Sequence, residues 1–507
     1  MCHDHTRSHP IIPRSGGLRV SLPILARDAL RSTATGFELL LSLPWIRSLP
    51  LGSAVDLSVS IDGEPTEVRV VIGQRRVDPE HLVSESGWWF IQDRLHLVGE
   101  RMLAPGTHDV SVSFALVVPY LQVGPAGPLT LPFADARSLL VDAPTPRRPT
   151  ATVGVPHTRD AAGEQQGSLP DGWIIGASAF NWTPEVIRAE RSAHDITVGI
   201  VTEGVASVIE LEPGQLWRSY PESTDAEVDA FRSSLDAAGG SVSIVGASLD
   251  DWLPAGGRRS DDERLAFLVP QLHAAHRVGA QGVRLPIGQA GESLLRRLLP
   301  TLRELDLLLY EEIQGQQTPD SPGTSASIDT IATIDDEHVR LLVDISMLMP
   351  ALPPSYLERL RAGGVDPALL DRLASDWREP ATHDAVVGYL RSGAVPPVVH
   401  TMYMNLLIRF GRSDASALRS ILPLVGAFHL KFWDLDDTEG RVSAPIRDLG
   451  VELERCGFSG PLTSEWGGHE WLDDDPAAMT GRHLELARAA LGVSAIQAAR
   501  VALRAEG

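Results

Sequence analysis

Val339-Arg-Leu-Leu-Val-Asp344 is a short apolar run that ends on a carboxylate, and Leu305-Asp-Leu-Leu-Leu-Tyr-Glu-Glu312, Ala427-Phe-His-Leu-Lys-Phe432 and Pro461-Leu-Thr-Ser-Glu465 repeat the pattern. Such runs, apolar on both faces, read as strands of a parallel sheet covered by helices. Toward the N-terminus lie four more: Trp173-Ile-Ile-Gly-Ala-Ser178, Ala206-Ser-Val-Ile-Glu-Leu211, Ser241-Val-Ser-Ile-Val245 and Gly282-Val-Arg-Leu-Pro286. Amphipathic helical stretches separate them. Eight strands alternating with helices predict an α/β TIM barrel, (β/α)8, over 171–507. The connection between the sixth and seventh strands is too long for one helix. Its residues 350–411 read as an insertion, either a lid or an assembly surface, and a homo-oligomer is expected.

The texture differs before the barrel. Asp56-Leu-Ser-Val-Ser-Ile-Asp62 and His108-Asp-Val-Ser-Val-Ser-Phe-Ala-Leu116 alternate with period two, and Asp62-Gly63 and Pro105-Gly106 punctuate them. Residues 1–141 therefore read as an all-β, sandwich-like domain. Residues 142–170, with Ala143-Pro-Thr-Pro-Arg-Arg-Pro149, read as a linker.

Composition narrows the function classes. A chain of 507 residues with net charge -22 repels phosphate backbones and anionic surfaces, which argues against nucleic acid and membrane partners. Two cysteines, Cys2 and Cys456, make no disulfide framework. No apolar run approaches membrane length, and the N-terminus lacks an export signal, so a cytoplasmic location is expected. His3, His5 and His9 read as scattered histidines rather than a metal tract. A Gly-rich phosphate loop and a nucleophile elbow are both missing.

In a TIM barrel the chemistry sits at the C-terminal strand ends, so a polar residue closing an apolar run is informative. Glu312, Asp344, His429 and Glu465 meet that test on the fifth to eighth strands. Glu311 competes with Glu312, since alternation sends only one of them inward. Three carboxylates and an imidazole suit Mn²⁺, with Mg²⁺, Co²⁺ or Zn²⁺ also compatible, and a cation would offset the cost of burying three like charges. Lys431 shares the inward face with His429 and is a candidate contact for a sugar oxygen. Arg284 ends the fourth strand and is a candidate anchor for a hydroxyl or carbonyl. His469, in the glycine-bearing loop Glu465-Trp-Gly-Gly-His-Glu-Trp471, and His400, in the insertion, are candidate general bases. His273 and His276 read as surface residues of a helix.

The Glu, Asp, His, Glu quartet resembles that of the sugar phosphate isomerase/epimerase superfamily, the xylose-isomerase-like barrels, over about residues 170 to 490. In the β part, Gly36-Phe37, Leu49-Pro-Leu51, Ile61-Asp-Gly-Glu64, Trp89-Phe90 and Leu103-Ala-Pro-Gly-Thr-His-Asp-Val110 look like the small β subunit of bacterial C-glycoside deglycosidases. The chain thus resembles both subunits of that family joined in one polypeptide. The resemblance implies a metal-dependent lyase acting on a glycoside that a separate oxidoreductase has oxidised to a 3-keto-glycoside. Deprotonation at C2 and β-elimination would release the aglycone and 1,5-anhydro-hex-1-en-3-ulose, with Trp182 or Trp466 available to stack on the aglycone. An epimerase or isomerase of ketoses or sugar phosphates on the same metal is the alternative, and a non-catalytic scaffold the third reading. Two positions depart from the family pattern. Gln314, a candidate substrate contact, stands where many relatives have a basic His, which leaves the base to His469, His400 or a metal-bound hydroxide, and Trp45-Ile-Arg-Ser48 stands where Tyr-Arg-Gly is expected.

Overall fold

The computed structural model describes residues 24–122, 127–144 and 169–505. Most of the linker expected at 142–170, together with His3, His5 and His9, lies outside the described residues.

Among the described residues, the N-terminal part consists mainly of two antiparallel sheets. One orders its strands Leu25–Thr33, Gly36–Ser42, Arg94–Gly99, Arg69–Ile72, Arg75–Val77, and the other Pro128–Leu140, Thr107–Gln122, Ala54–Ile61, Glu64–Pro65. Period-two alternation turns Phe37, Leu39, Leu41 and Leu97 of the first sheet onto Val59, Ile61, Val112 and Phe114 of the second, in one buried cluster. The hairpin at Asp62-Gly63 has φ values of 56° and 79° at the two positions, as a two-residue turn with both centres left-handed requires. Asp or Asn followed by Gly is among the few pairs that take that shape cheaply.

Residues 173–466 build a closed parallel barrel. Its strands are β1 (Trp173–Ser178), β2 (Val208–Leu211), β3 (Ser241–Gly246), β4 (Gly282–Pro286), β5 (Leu308–Ile313), β6 (Val339–Asp344), β7 (Val425–Phe432) and β8 (Gly460–Trp466). Neighbours pair in sequence order, and β8 returns to β1 with Trp173 opposite Gly460. The fifth run is shorter than its apolar sequence suggests. Leu305 closes the preceding helix, and Asp306 turns the chain with φ 50°.

Ile244, Tyr310, Leu342 and Ala427 pack together inside the barrel. The Tyr310 ring fits because Gly282 and Gly426 flank it, where an added Cβ would lie 2.8 and 2.9 Å from the ring. Two residues further along each strand the same inward face presents Gly246, Glu312, Asp344 and His429. One apolar layer thus supports one polar layer at the C-terminal mouth.

Two structures cover that mouth. Over the ends of β1 to β3 lies the N-terminal part. Ser48 donates from N and Oγ to the Gly214 carbonyl at 2.9 and 2.6 Å, and Gln92 bonds Val186, Arg191 and Ala193. Arg47 pairs with Asp250 at 2.6 Å and lies 3.7 Å from the Tyr120 ring centroid. The departing segment Trp45-Ile-Arg-Ser48 is therefore itself interface. Over β5 to β8 lie the helices Pro354–Ala362, Pro367–Ser375, Pro380–Arg391 and His400–Ile408, whose apolar faces share a core with Trp433 and Trp471. No helix among the described residues is long and apolar enough to cross a membrane.

Candidate functional site

Glu312, Asp344, His429 and Glu465 are all buried, and each offers a ligand atom within 4.8 Å of those of the others. Register explains the convergence: Asp344 pairs with His429 across β6 and β7, and the inward Lys431 pairs with Glu465 across β7 and β8. The choice between the two glutamates is settled by alternation. Glu312 faces this group, whereas Glu311 turns away and accepts from Gly288 N at 3.1 Å. Burial pushes the Glu311 carboxyl up to about 7.

His429 Nδ1 lies 3.0 Å from Glu312 Oε1 and 2.8 Å from Glu465 Oε2. A ring nitrogen carries at most one hydrogen, so it cannot satisfy both. The bond goes to Glu312, and Glu465 Oε2 is left buried without a hydrogen bond, as is Asp344 Oδ2. Oxygens of three carboxylates thus gather in one place, and separations of this size fit ligands about 2.0–2.6 Å from one ion. Hard oxygen donors with one imidazole suit a divalent ion, and they fit the Mn²⁺, Mg²⁺ or Co²⁺ expected from the sequence.

Sequence reasoning overlooked Glu210. The ring's other nitrogen, Nε2, bonds Glu210 Oε2 at 2.9 Å, and Glu210 Oε1 takes the Nε–H of Arg284. This arrangement points Nδ1 at the ligand group and holds the ring by a carboxylate behind it, the usual support of a metal-bound histidine. Glu210 ends the apolar run Val208-Ile209, and Glu212 follows two residues on, so both satisfied the strand-end rule that selected the others.

The electrostatics are dominated by acid. Among the described residues, Glu210, Glu212, Glu312, Asp344 and Glu465 form ion pairs with Arg284 and Lys431. Burial lowers the basicity of His429, but Glu210, Glu465 and Glu312 outweigh it and hold the imidazole well above its ordinary value. Burial raises Asp344 to about 6 although Lys431 and His429 oppose the shift. Glu465 ends well below the ordinary range because Lys431 and His429 overcome its burial.

The remaining sequence candidates divide. Lys431 sits in the group, with Nζ 3.2 Å from Glu465 Oε1 and 3.9 Å from Asp344 Oδ2. Arg284 is consumed by Glu210, Glu212 and Glu312, so it fixes carboxylates rather than presenting a free guanidinium to substrate. His469 is buried between the Phe180 and Trp466 rings, its Nε2 without a partner, and burial pushes it down to about 4. His400 is exposed at the start of a nine-residue helix; only the far end of that helix nears the mouth, where Arg409 pairs with Glu470. His400 and Arg409 stand at opposite ends of that helix, about 13 Å apart at a rise of about 1.5 Å per residue. Gln314 is half-buried, and its side chain makes no hydrogen bond among the described residues.

Trp182 and Trp466 do not present stacking faces. Trp182 is buried in the barrel's outer core. Trp466 stacks on Phe432 and donates from Nε1 to the Trp433 carbonyl at 2.8 Å. The apolar surface beside the group is instead a cleft lined by Met349, Leu352, Trp433 and Pro445, with Lys431 at its end.

No family model matches the chain. The C-glycoside deglycosidase alpha subunit of Arthrobacter globiformis is 27% identical over 339 residues, 64% of this chain and 94% of that subunit. The 3'-dehydrocarminate deglycosidase alpha subunit of a Microbacterium species is 26% identical over 336 residues, covering 63% and 95%. The beta subunit of the Microbacterium enzyme is 27% identical over 121 residues, 23% of this chain and 91% of that subunit. This chain combines counterparts of both deglycosidase subunits. The longer alignments have the length of the barrel region and the shorter that of the antiparallel sheets. Among solved structures, D-psicose 3-epimerase covers 63% of this chain with 99% of its own, at 13% identity and a TM-score of 0.38.

Proposed function

We propose that the chain is a divalent-metal-dependent lyase that cleaves 3-keto-glycosides, releasing the aglycone by β-elimination. The observation that carries this reading is the convergence of the buried Glu312, Asp344, His429 and Glu465, with Glu465 Oε2 and Asp344 Oδ2 left without a hydrogen bond. It is supported by similarity to deglycosidase subunits of both kinds.

Glu312, Asp344, Glu465 and Nδ1 of His429 would hold the ion. When bound, the ion offsets negative charge developing on the sugar's C2 and C3 oxygens as the C2 proton leaves. The chain's own residues do the rest. Glu210 fixes the His429 ring, and Arg284 ties Glu210 to Glu312, so the polar layer is assembled before substrate arrives. Lys431 adds a second positive charge beside the same oxygens. His469, neutral in its apolar setting, offers Nε2 to a sugar hydroxyl. The sheets over β1 to β3 and the helices over β5 to β8 exclude bulk water. That matters because water is not a reactant: the C2 electron pair becomes the C1–C2 double bond, and the C1–aglycone bond breaks.

The test is incubation of the purified protein and Mn²⁺ with a 3-oxo C-glucoside and a 3-oxo O-glucoside, with product masses read out. Free aglycone and 1,5-anhydro-hex-1-en-3-ulose are expected, and EDTA stops their formation. A product of unchanged mass instead points to an epimerase on the same metal centre.

A further inference from the structure

Gln314 cannot accept a proton at neutral pH, His469 is held down to about 4, and His400 lies outside the mouth, so the three positions nearest to hand leave the C2 proton without an acceptor. The five carboxylates at the mouth differ in how their oxygens are used. Both oxygens of Glu210 are occupied, by Arg284 and His429. Glu312 gives Oε1 to His429 and Oε2 to Arg284, Glu465 gives Oε1 to Lys431, and Asp344 gives Oδ1 to Ser346 N at 2.7 Å. Of these three, only Glu465 Oε2 and Asp344 Oδ2 are left without a hydrogen bond, and both lie in the four-residue group.

Glu212 is the exception. Arg284 Nη2 grips Oε1, while Oε2 has no partner among the described residues. Its side chain is 19% exposed, against 0% for Glu210 two residues earlier on the same inward face. Gly246, at the end of β3, makes the space: a Cβ there would stand 2.8 Å from Oε1 and 2.9 Å from Oε2. Across the mouth from β2 stand β5 to β8 with the ligand group, and above it lies the roof formed where Ser48 docks on Gly214. A sugar bound with its C2 and C3 oxygens at the ligand group would have Glu212, with its unpartnered Oε2, on the β2 side of the mouth.

We infer that Glu212 is the catalytic base that removes the C2 proton of the keto-sugar, with Arg284 holding it in place. The assignment rests on the lyase reading above. In the step, Oε2 bonds to the C2 hydrogen and the C2–H electron pair enters conjugation with the C3 carbonyl. Collapse of that enolate forms the C1–C2 double bond, restores C3=O and expels the aglycone with the C1 bond pair. The same proton, carried by Glu212, then neutralises the aglycone, so no co-reactant is consumed. Burial raises the Glu212 carboxyl to about 7; Arg284 opposes that, and Glu210, Glu465 and Glu312 reinforce it. Tyr120 of the N-terminal part also faces it. A base poised near neutrality suits the task.

Glu212→Gln and Glu212→Ala would be compared with the wild type on the 3-oxo glucosides, by aglycone release and by hydrogen–deuterium exchange at C2 followed by NMR in D2O. Mn²⁺ affinity is measured in parallel by calorimetry. With the wild type active, both variants are expected to lose release and exchange by about 100-fold or more, with Mn²⁺ Kd within threefold of wild type. Formate is expected to restore activity to Glu212→Ala, where it has room, and not to Glu212→Gln. Wild-type rates in Glu212→Gln, failure of formate to rescue Glu212→Ala, or a loss of Mn²⁺ affinity that matches the loss of rate each overturns the assignment while leaving the lyase reading standing. A wild type that releases no aglycone overturns both.

Discussion

Replacing Glu210 by Gln tests whether the proposed metal centre depends on a residue outside its ligand set. The amide keeps an oxygen for His429 Nε2, now 2.9 Å from the carboxylate, but removes the charge that orients the ring and raises its donor strength. Arg284 also loses one of its three carboxylate partners and is freer to draw on Glu312 Oε2, 3.3 Å from its Nη1, pulling a ligand away. Both effects weaken the site. Loss of such a supporting carboxylate typically lowers metal affinity by about 10- to 100-fold. At a Mn²⁺ concentration of about 100 times the wild-type Kd, binding stabilises the wild type by about 2.7 kcal/mol. The variant at the same concentration would retain about 1.4 kcal/mol for a tenfold loss and about 0.4 kcal/mol for a hundredfold loss. Calorimetric titration with Mn²⁺ gives Kd directly, and urea unfolding with and without Mn²⁺ gives the stabilisation. Unfolding in EDTA checks that the metal-free fold survives. A Kd within twofold of wild type in a folded Glu210→Gln protein would refute the orienting role.

Glu465→Gln removes a ligand and the partner of Lys431, so turnover should vanish and Mn²⁺ affinity fall with the fold retained; full activity rejects the ligand set. His469→Ala should lower turnover far more than His273→Ala, because His469 is buried at the mouth and His273 exposed on a helix; equal effects remove His469 from the site. Mn²⁺ should raise the melting temperature of the EDTA-treated protein, and an unchanged melting curve argues for a scaffold without a metal. His483 stacks on Phe432 at 3.9 Å, and burial pushes it down to about 3 from an ordinary 6.5. The unfolded chain therefore takes up a proton below pH 6.5 that the fold refuses. Stability from the neutral ring is complete above pH 6.5 and erodes as pH falls toward 3, by about 2 kcal/mol at pH 5. Urea midpoints at pH 7.5 and 5 should differ less in His483→Gln than in the wild type; an equal difference assigns the acid sensitivity elsewhere.

The barrel was legible because burial on both faces leaves a local mark: apolar runs of strand length, spaced by helices. The convergence of four strand ends was legible because a polar residue closing such a run is costly without a purpose, and Glu312, Asp344, His429 and Glu465 carry that mark on consecutive strands. Glu210 and Glu212 carry it too, yet Arg284, which explains them, is 74 and 72 residues away in the chain. Trp182 and Trp466 read as platforms because an aromatic at a strand end looks the same in sequence whether it faces ligand or core. His400 read as a base because the path of the insertion is not written in its helical periods.

Residue type and two-residue alternation, which act within one strand, determined the fold class by sequence alone, but left open which of Glu311 and Glu312 faces inward. Tertiary structure decided what only closure of the barrel and the docking of two covering layers can set. These are the hydrogen bonds by which Arg284 and His429 link one carboxylate to the next, and the oxygens left free. Such contacts are made between strands distant in the chain, and their energies depend on burial that no local pattern records.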